Sequence, residues 1–92
     1  MVYTETMKEH ERVLKALANR RRLGILAYIK KEKEAKVGDI AYEIRLSFRA
    51  TSKHLGILAA ADIVEKEQRG LEMWYRITDK LPTAAARIFP IL

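Results

Sequence analysis

The sequence predicts a mainly α-helical domain that closes with one small β-hairpin and a short helix, in the order α-α-α-α-β-β-α. Two observations carry this expectation. Apolar residues recur at helical spacing as far as residue 61, and the period then drops to two between residues 63 and 78. Punctuation is sparse, with four Gly and two Pro, so the elements should be joined by short loops. A chain of 92 residues has room for a single domain, 1–92, and its folding would bury roughly 60–65% of its surface. Hydrophobic residues at 49% and charged residues at 33% place it with globular rather than disordered chains.

Each element has its own signal. Thr4 or Thr6 can cap a first helix running to about Leu17, with Val13, Leu14 and Leu17 as its apolar stripe. Asn19 is the next N-cap, and Leu23, Leu26, Ala27 and the stem of Lys30 give the second helix its inward face. The charge run from Lys30 to Lys36 reads as a solvated helix end and loop. A short third helix fits residues 37–44, with Ile40, Ala41 and Ile44 on one face. Ser47 caps a fourth helix over residues 48–61. At 100° per residue, Thr51, Leu55 and Leu58 fall within about 60° of one another on its buried side. Arg49, Lys53, Gly56 and Ala60 fall on the opposite side, which is basic in its first half and small in its second. Residues 63–67 and 73–78 alternate as two strands, with Gly70 at the bend between them. Pro82 then opens a last short helix through residue 89, closed by Pro90. This order is that of a winged helix-turn-helix, with the hairpin 63–78 as the wing.

Charge narrows the partners. A net charge of +6 favours an anionic partner, and its distribution matters more than its size. Residues 62–92 balance five cations against five acids, whereas the window 45–61 holds Arg45, Arg49 and Lys53 with no acid. A helix with long cations in its N-terminal half, small residues beyond and the positive end of its dipole can lie close against a polyanion.

Three segments then match a known family. Residues 14–26, Leu-Lys-Ala-Leu-Ala-Asn-Arg-Arg-Arg-Leu-Gly-Ile-Leu, resemble the opening signature of the arsenic-repressor (ArsR/SmtB) family of winged-helix regulators. Residues 46–58 resemble that family's recognition helix, with Ser52-Lys53-His54-Leu55 as the most specific match and Lys53 where relatives often carry Arg. Ile63-Val64, Gly70 and Trp74-Tyr75-Arg76-Ile77 fall where the family's wing has an aliphatic pair, a glycine and an aromatic pair. The similarity covers about residues 13–78. It implies a homodimeric, sequence-specific repressor that binds double-stranded DNA, with helix 48–61 in the major groove.

By that resemblance Ser47, Arg49, Ser52, Lys53 and His54 would face DNA, and Arg69 at the hairpin tip would reach an adjacent groove or phosphate. Arg49 is the candidate for bidentate reading of guanine, while Ser52 and Lys53 suit phosphates. Phe48 borders the buried face and is assigned to the edge of the core, its alternative being a thymine methyl. His54 has two readings, a satisfied structural histidine or a DNA contact. Arg20, Arg21 and Arg22 sit at the unfavourable end of the second helix for cations, which suggests phosphate contact, with Arg22 the chosen candidate; the alternative is three solvated arginines.

The family pattern is not followed throughout. Many relatives sense metals through cysteines on the third helix, where this chain reads Ala35-Lys36-Val37-Gly38-Asp39-Ile40, and the sequence has no cysteine at all. His10 and His54 are its two histidines, so neither a metal effector nor any cofactor is expected. The wing's cations are matched by Glu65, Glu67 and Glu72, which predicts weak DNA contact there. The first helix and the apolar segment 82–92 are the expected dimerisation elements. No enzyme motif appears, because Ser52 and His54 are two apart on a helix and no phosphate loop or carboxylate pair is present. The other reading is a winged-helix module that binds protein or RNA. No membrane segment or secretory signal is read in the sequence, so a cytoplasmic location is expected. Single copies of Asn and Gln beside abundant Lys, Arg, Glu and Ile resemble a hyperthermophile composition.

Overall fold

The computed structural model describes residues 5–92. Its elements are α1 (Met7–Leu17), α2 (Arg20–Glu32), β1 (Glu34–Lys36), α3 (Val37–Ile44), α4 (Phe48–Ala60), β2 (Val64–Arg69), β3 (Glu72–Ile77) and α5 (Thr83–Ile88), followed by a 3-10 turn, Phe89–Ile91. The expected winged helix-turn-helix order is present, with one addition. The charge run after α2 is not all loop: Glu34–Lys36 pairs antiparallel with β3, giving a three-stranded sheet in the order β1-β3-β2. Lys33, at φ 77°, turns the chain sharply out of α2 and into that strand. Ala35 is buried opposite Tyr75, while the charged residues on either side of it are half-buried and hide the strand in the sequence.

Caps explain where the helices begin and end. The Asn19 side chain accepts from the backbone N–H groups of Arg21 and Arg22 at 3.0 and 3.1 Å, satisfying two of the free donors of α2. Thr6 makes no such bond, and Thr4 lies outside the described residues. Arg45 ends α3 in the left-handed conformation (φ 58°), where its N–H and that of Leu46 return to carbonyls of the last turn. Ser47 follows at once; its Oγ accepts from the N–H of Ala50 at 3.1 Å. The corner between α3 and α4 is therefore three residues long.

The core joins all the helices to one face of the sheet. Val13, Ile25, Leu26, Ile29, Ile40, Leu55, Leu58 and Ile63 are its fully buried large side chains. Two expected stripes are shifted. On α1, Leu14 is 47% exposed and Ala16 is buried in its stead, beside Val13 and Leu17. On α2, the inward residues are Ile25, Leu26 and Ile29, whereas Leu23 and Ala27 are half-buried. Ala85 is buried where α5 packs on α1, and Phe89 is buried in the turn that follows α5. Lys30 pins that end by donating to the main-chain oxygens of Phe89 and Leu92 at 3.0 and 3.2 Å. No helix among the described residues is long and apolar enough to cross a membrane.

Candidate nucleic-acid interface

Helix α4 is held from one side. Thr51, Leu55 and Leu58 have no exposed surface, and the Thr51 hydroxyl donates to the Ser47 carbonyl at 2.8 Å, so the one polar group on that face is satisfied. The other side presents Arg49, Lys53, Gly56 and Ala60 to solvent, as the helical spacing predicts. Among the described residues neither Arg49 nor Lys53 forms an ion pair. A Cβ added at Gly56 would meet nothing, so this half of the helix is a smooth surface rather than a packed one. Ser52 is half-buried beside these cations. The Ser47 Oγ is engaged as an acceptor by its cap, which leaves its O–H free to donate outward.

His54 sits at the edge of this face, and its ring is oriented by Arg22. The Arg22 guanidinium lies 3.2 Å from His54 Nδ1. Arginine has donors and no acceptor, so Nδ1 must accept and the proton resides on Nε2. Burial lowers the His54 pKa from its ordinary 6.5, and the positive charges of Arg22, Arg21 and Lys53 push it further the same way. A neutral histidine is thereby set inside a cationic cluster, with its remaining N–H available as a donor.

Arg22, the expected phosphate contact of the triplet, is engaged within the chain. Its Nε donates to the Ala16 carbonyl at 2.6 Å and its Nη2 to the Lys15 carbonyl at 3.3 Å, so the guanidinium ties α1 to α4 rather than reaching into solvent. The signal lay in the spacing: Arg22 is i, i+3, i+4 and i+7 with Ile25, Leu26 and Ile29, which puts it on the inward stripe of α2. Arg20 and Arg21 are exposed, and Arg21 is the member of the triplet that adds positive charge at His54 without being consumed by carbonyls.

The wing is a two-residue hairpin. Arg69 pairs with Glu72 across Gly70-Leu71, and Gly70 takes the left-handed φ of 62° that such a turn requires. Arg69 is not free at the tip. It grips both carboxylate oxygens of Glu34 at 2.6 and 2.9 Å, contacts Glu67 at 2.9 Å, and lies 4.7 Å over the Trp74 ring. The carboxylates hold its pKa above the usual arginine range, Glu34 first and Glu67 next. Arg76 pairs with Glu65 at 2.9 Å and Lys36 with Glu72 at 2.8 Å. Lys66 is the hairpin's cation with no ion pair among the described residues.

Two large apolar side chains near this surface are exposed, and one of them departs from the helical-wheel reading. Phe48 is 62% exposed rather than part of the core edge: in the first turn of α4 it lines an open cleft with Lys36, Leu71, Glu72 and Met73 instead of packing into the core. Leu71, at the hairpin tip, is fully exposed. Among the described residues no three His, Asp or Glu side chains converge where a metal ion could be held.

Comparison with known proteins gives this geometry a family. The profile of "bacterial regulatory protein, arsR family" matches residues 19–66, from the cap of α2 into β2. The arsenical resistance operon repressor of Bacillus subtilis (strain 168) is 29% identical over 77 residues, covering 84% of this chain and 73% of the relative. The solution structure of a homodimeric winged helix-turn-helix DNA-binding domain from Mycobacterium bovis, a possible ArsR-family transcriptional regulator, superposes with a TM-score of 0.82. It is 31% identical, covering 98% of this chain and 80% of that one. HlyU from Vibrio cholerae superposes with a TM-score of 0.81 at 27% identity, covering 96% and 92% of the two chains. With a matching profile over more than half its length and the same fold throughout, the chain belongs to the arsR family of bacterial regulatory proteins.

Proposed function

We propose that the protein is a sequence-specific, double-stranded-DNA-binding transcriptional repressor that acts as a homodimer, with α4 in the major groove. The observation that carries this reading is the exposed face of α4, where Arg49 and Lys53 have no ion pair among the described residues and Gly56 and Ala60 offer no bulk. A groove of stacked bases between two phosphate rows suits such a face. Arg49 reads guanine through two hydrogen bonds, a contact that contributes about 1–3 kcal/mol of discrimination. Lys53, Ser52 and the Ser47 hydroxyl hold phosphates and fix the register. His54 donates from Nε2 to a phosphate oxygen. The wing contributes little to affinity, since Arg69 stays with Glu34 and Glu67.

The dimer is proposed to form through α1 and the segment 82–92. Met7, Leu14 and Ile91 remain exposed there after α5 has packed on α1 within the chain. Burying them against a second copy would set the two α4 helices about one DNA turn apart, roughly 34–36 Å. The repressive sense follows the printed name of the Bacillus subtilis relative. No thiolate metal site is proposed, because the sequence has no cysteine.

The test is a salt titration of binding to a random duplex of about 30 bp, comparing the wild type with Arg49→Ala/Lys53→Ala. The wild type should weaken steeply with salt, and the double variant should flatten the log–log slope by about two. Absence of binding at low salt, or a slope indifferent to the double variant, would move the protein- or RNA-binding reading to first place.

A further inference from the structure

Phe48, at the N-terminal end of α4, and Leu71, at the hairpin tip, are large apolar side chains left in water, and both line one cleft of about 260 Å3. Val37, Gly38 and Met73 complete its apolar lining. The charged groups at its rim, Lys36 and Glu72, neutralise each other across 2.8 Å. The cleft thus takes an uncharged apolar group and has no free charge with which to hold a phosphate. Its position restricts what that group can be. Phe48 is the first residue of α4, adjacent to Arg49 and one turn before Ser52, and the window 45–61 carries cations with no acid. Any molecule drawn to that end of α4 by charge must be an anion, and it must also offer an apolar knob. In the major groove of DNA that knob is the C5-methyl of thymine.

We propose that Phe48 is a specificity-determining residue that packs on a thymine methyl, with Leu71 closing the far lip of the contact. The inference rests on the proposed DNA binding and adds a base preference to it: a thymine next to the base that Arg49 addresses. Arg49 reads by hydrogen bonds and Phe48 by shape, so the pair distinguishes neighbouring bases by two independent kinds of chemistry.

The experiment starts from duplexes selected out of a random pool of about 30 bp by the full chain. Each thymine of the selected site is then replaced by deoxyuridine, which removes the methyl and keeps every hydrogen bond. Replacement at one position per half-site should weaken wild-type binding about fourfold for each methyl lost from an apolar contact. Phe48→Ala should bind the thymine and deoxyuridine duplexes equally while keeping the wild-type salt slope, and Leu71→Ser should reduce the ratio in part. Thermal melting of both variants checks that they fold, which their exposure favours. The proposal is overturned if no thymine is sensitive to the replacement, or if Phe48→Ala keeps the wild-type ratio. It is equally overturned if Phe48→Ala alters the oligomeric state, since the cleft would then be a protein interface. Failure of the wild type to bind any duplex would instead strike at the DNA-binding reading, which the salt titration reports separately.

Discussion

Helix α4 and the wing hairpin carry comparable numbers of cations, yet both arginines of the hairpin are held by carboxylates and, among the described residues, the cations of α4 are not. On α4, Arg49 and Lys53 stand among small and polar neighbours, with no carboxylate on the helix and no ion pair within the described residues. On the hairpin, Arg69 and Arg76 are bound to Glu34, Glu67 and Glu65, and Trp74 covers the Arg69 guanidinium. A bound cation must surrender its carboxylates before it can meet a phosphate, whereas a free one releases counterions at once. The difference teaches that counting basic residues misjudges a polyanion-binding surface; what matters is how many of them remain uncompensated. The pairs on the hairpin serve another purpose, locking β1, β2 and β3 into a rigid flap beside the helix.

The contrast can be broken most severely at the anchor of α4. Leu55→Ala empties a fully buried site and should destabilise the domain by about 2–5 kcal/mol, read from the urea midpoint. Ser47→Ala removes the cap of α4 and should cost about 1 kcal/mol, again from the urea midpoint, with the hairpin's near-ultraviolet Trp74 signal retained. The wing can be moved in the opposite direction. Glu34→Gln/Glu67→Gln frees Arg69 and should steepen the salt slope for random duplex by about 0.9, one further phosphate contact. An unchanged slope would mean that the hairpin tip does not reach the DNA.

The smallest expected effect concerns pH. His54 has its pKa lowered in the folded protein by burial, then by Arg22, Arg21 and Lys53. The unfolded chain therefore takes up a proton first as pH falls, and stability present above about 6.5 declines as the pH drops below that value. Wild-type urea midpoints should fall between pH 7.5 and pH 5.5, and His54→Gln should fall less, with His10 present in both. The carboxylates Glu9 and Glu34, whose pKa values are lowered by Arg12 and Arg69, enter only below their ordinary 4.5 and do not confuse this window.

Much of this was legible in the sequence wherever a residue's role depends on its own helix. The faces of α4, the caps at Asn19 and Ser47 and the span of α3 follow from periodicity and side-chain chemistry. What was hidden depends on partners distant in the chain. Strand β1 is three residues long and exists because β3 supplies its hydrogen bonds. The captivity of Arg69 requires Glu34, thirty-five positions away, on that same unforeseen strand. Phe48 was misplaced because angular position on a helix does not show whether the neighbouring sheet closes over a side chain or, as here, leaves an open cleft beside it.

Arg22 has a mechanical meaning beyond its hydrogen bonds. It spans the end of α1, where the second copy is proposed to dock, and the middle of α4, where DNA is proposed to lie. Arg22 rises from α2, so three helices are riveted at a single guanidinium. In the proposed dimer this joint would fix α4 relative to α1, and so would help to set the separation of the two reading heads. An effector that slid α1 along its neighbour would change the gauge of the instrument, and an operator cut to the old gauge would no longer fit.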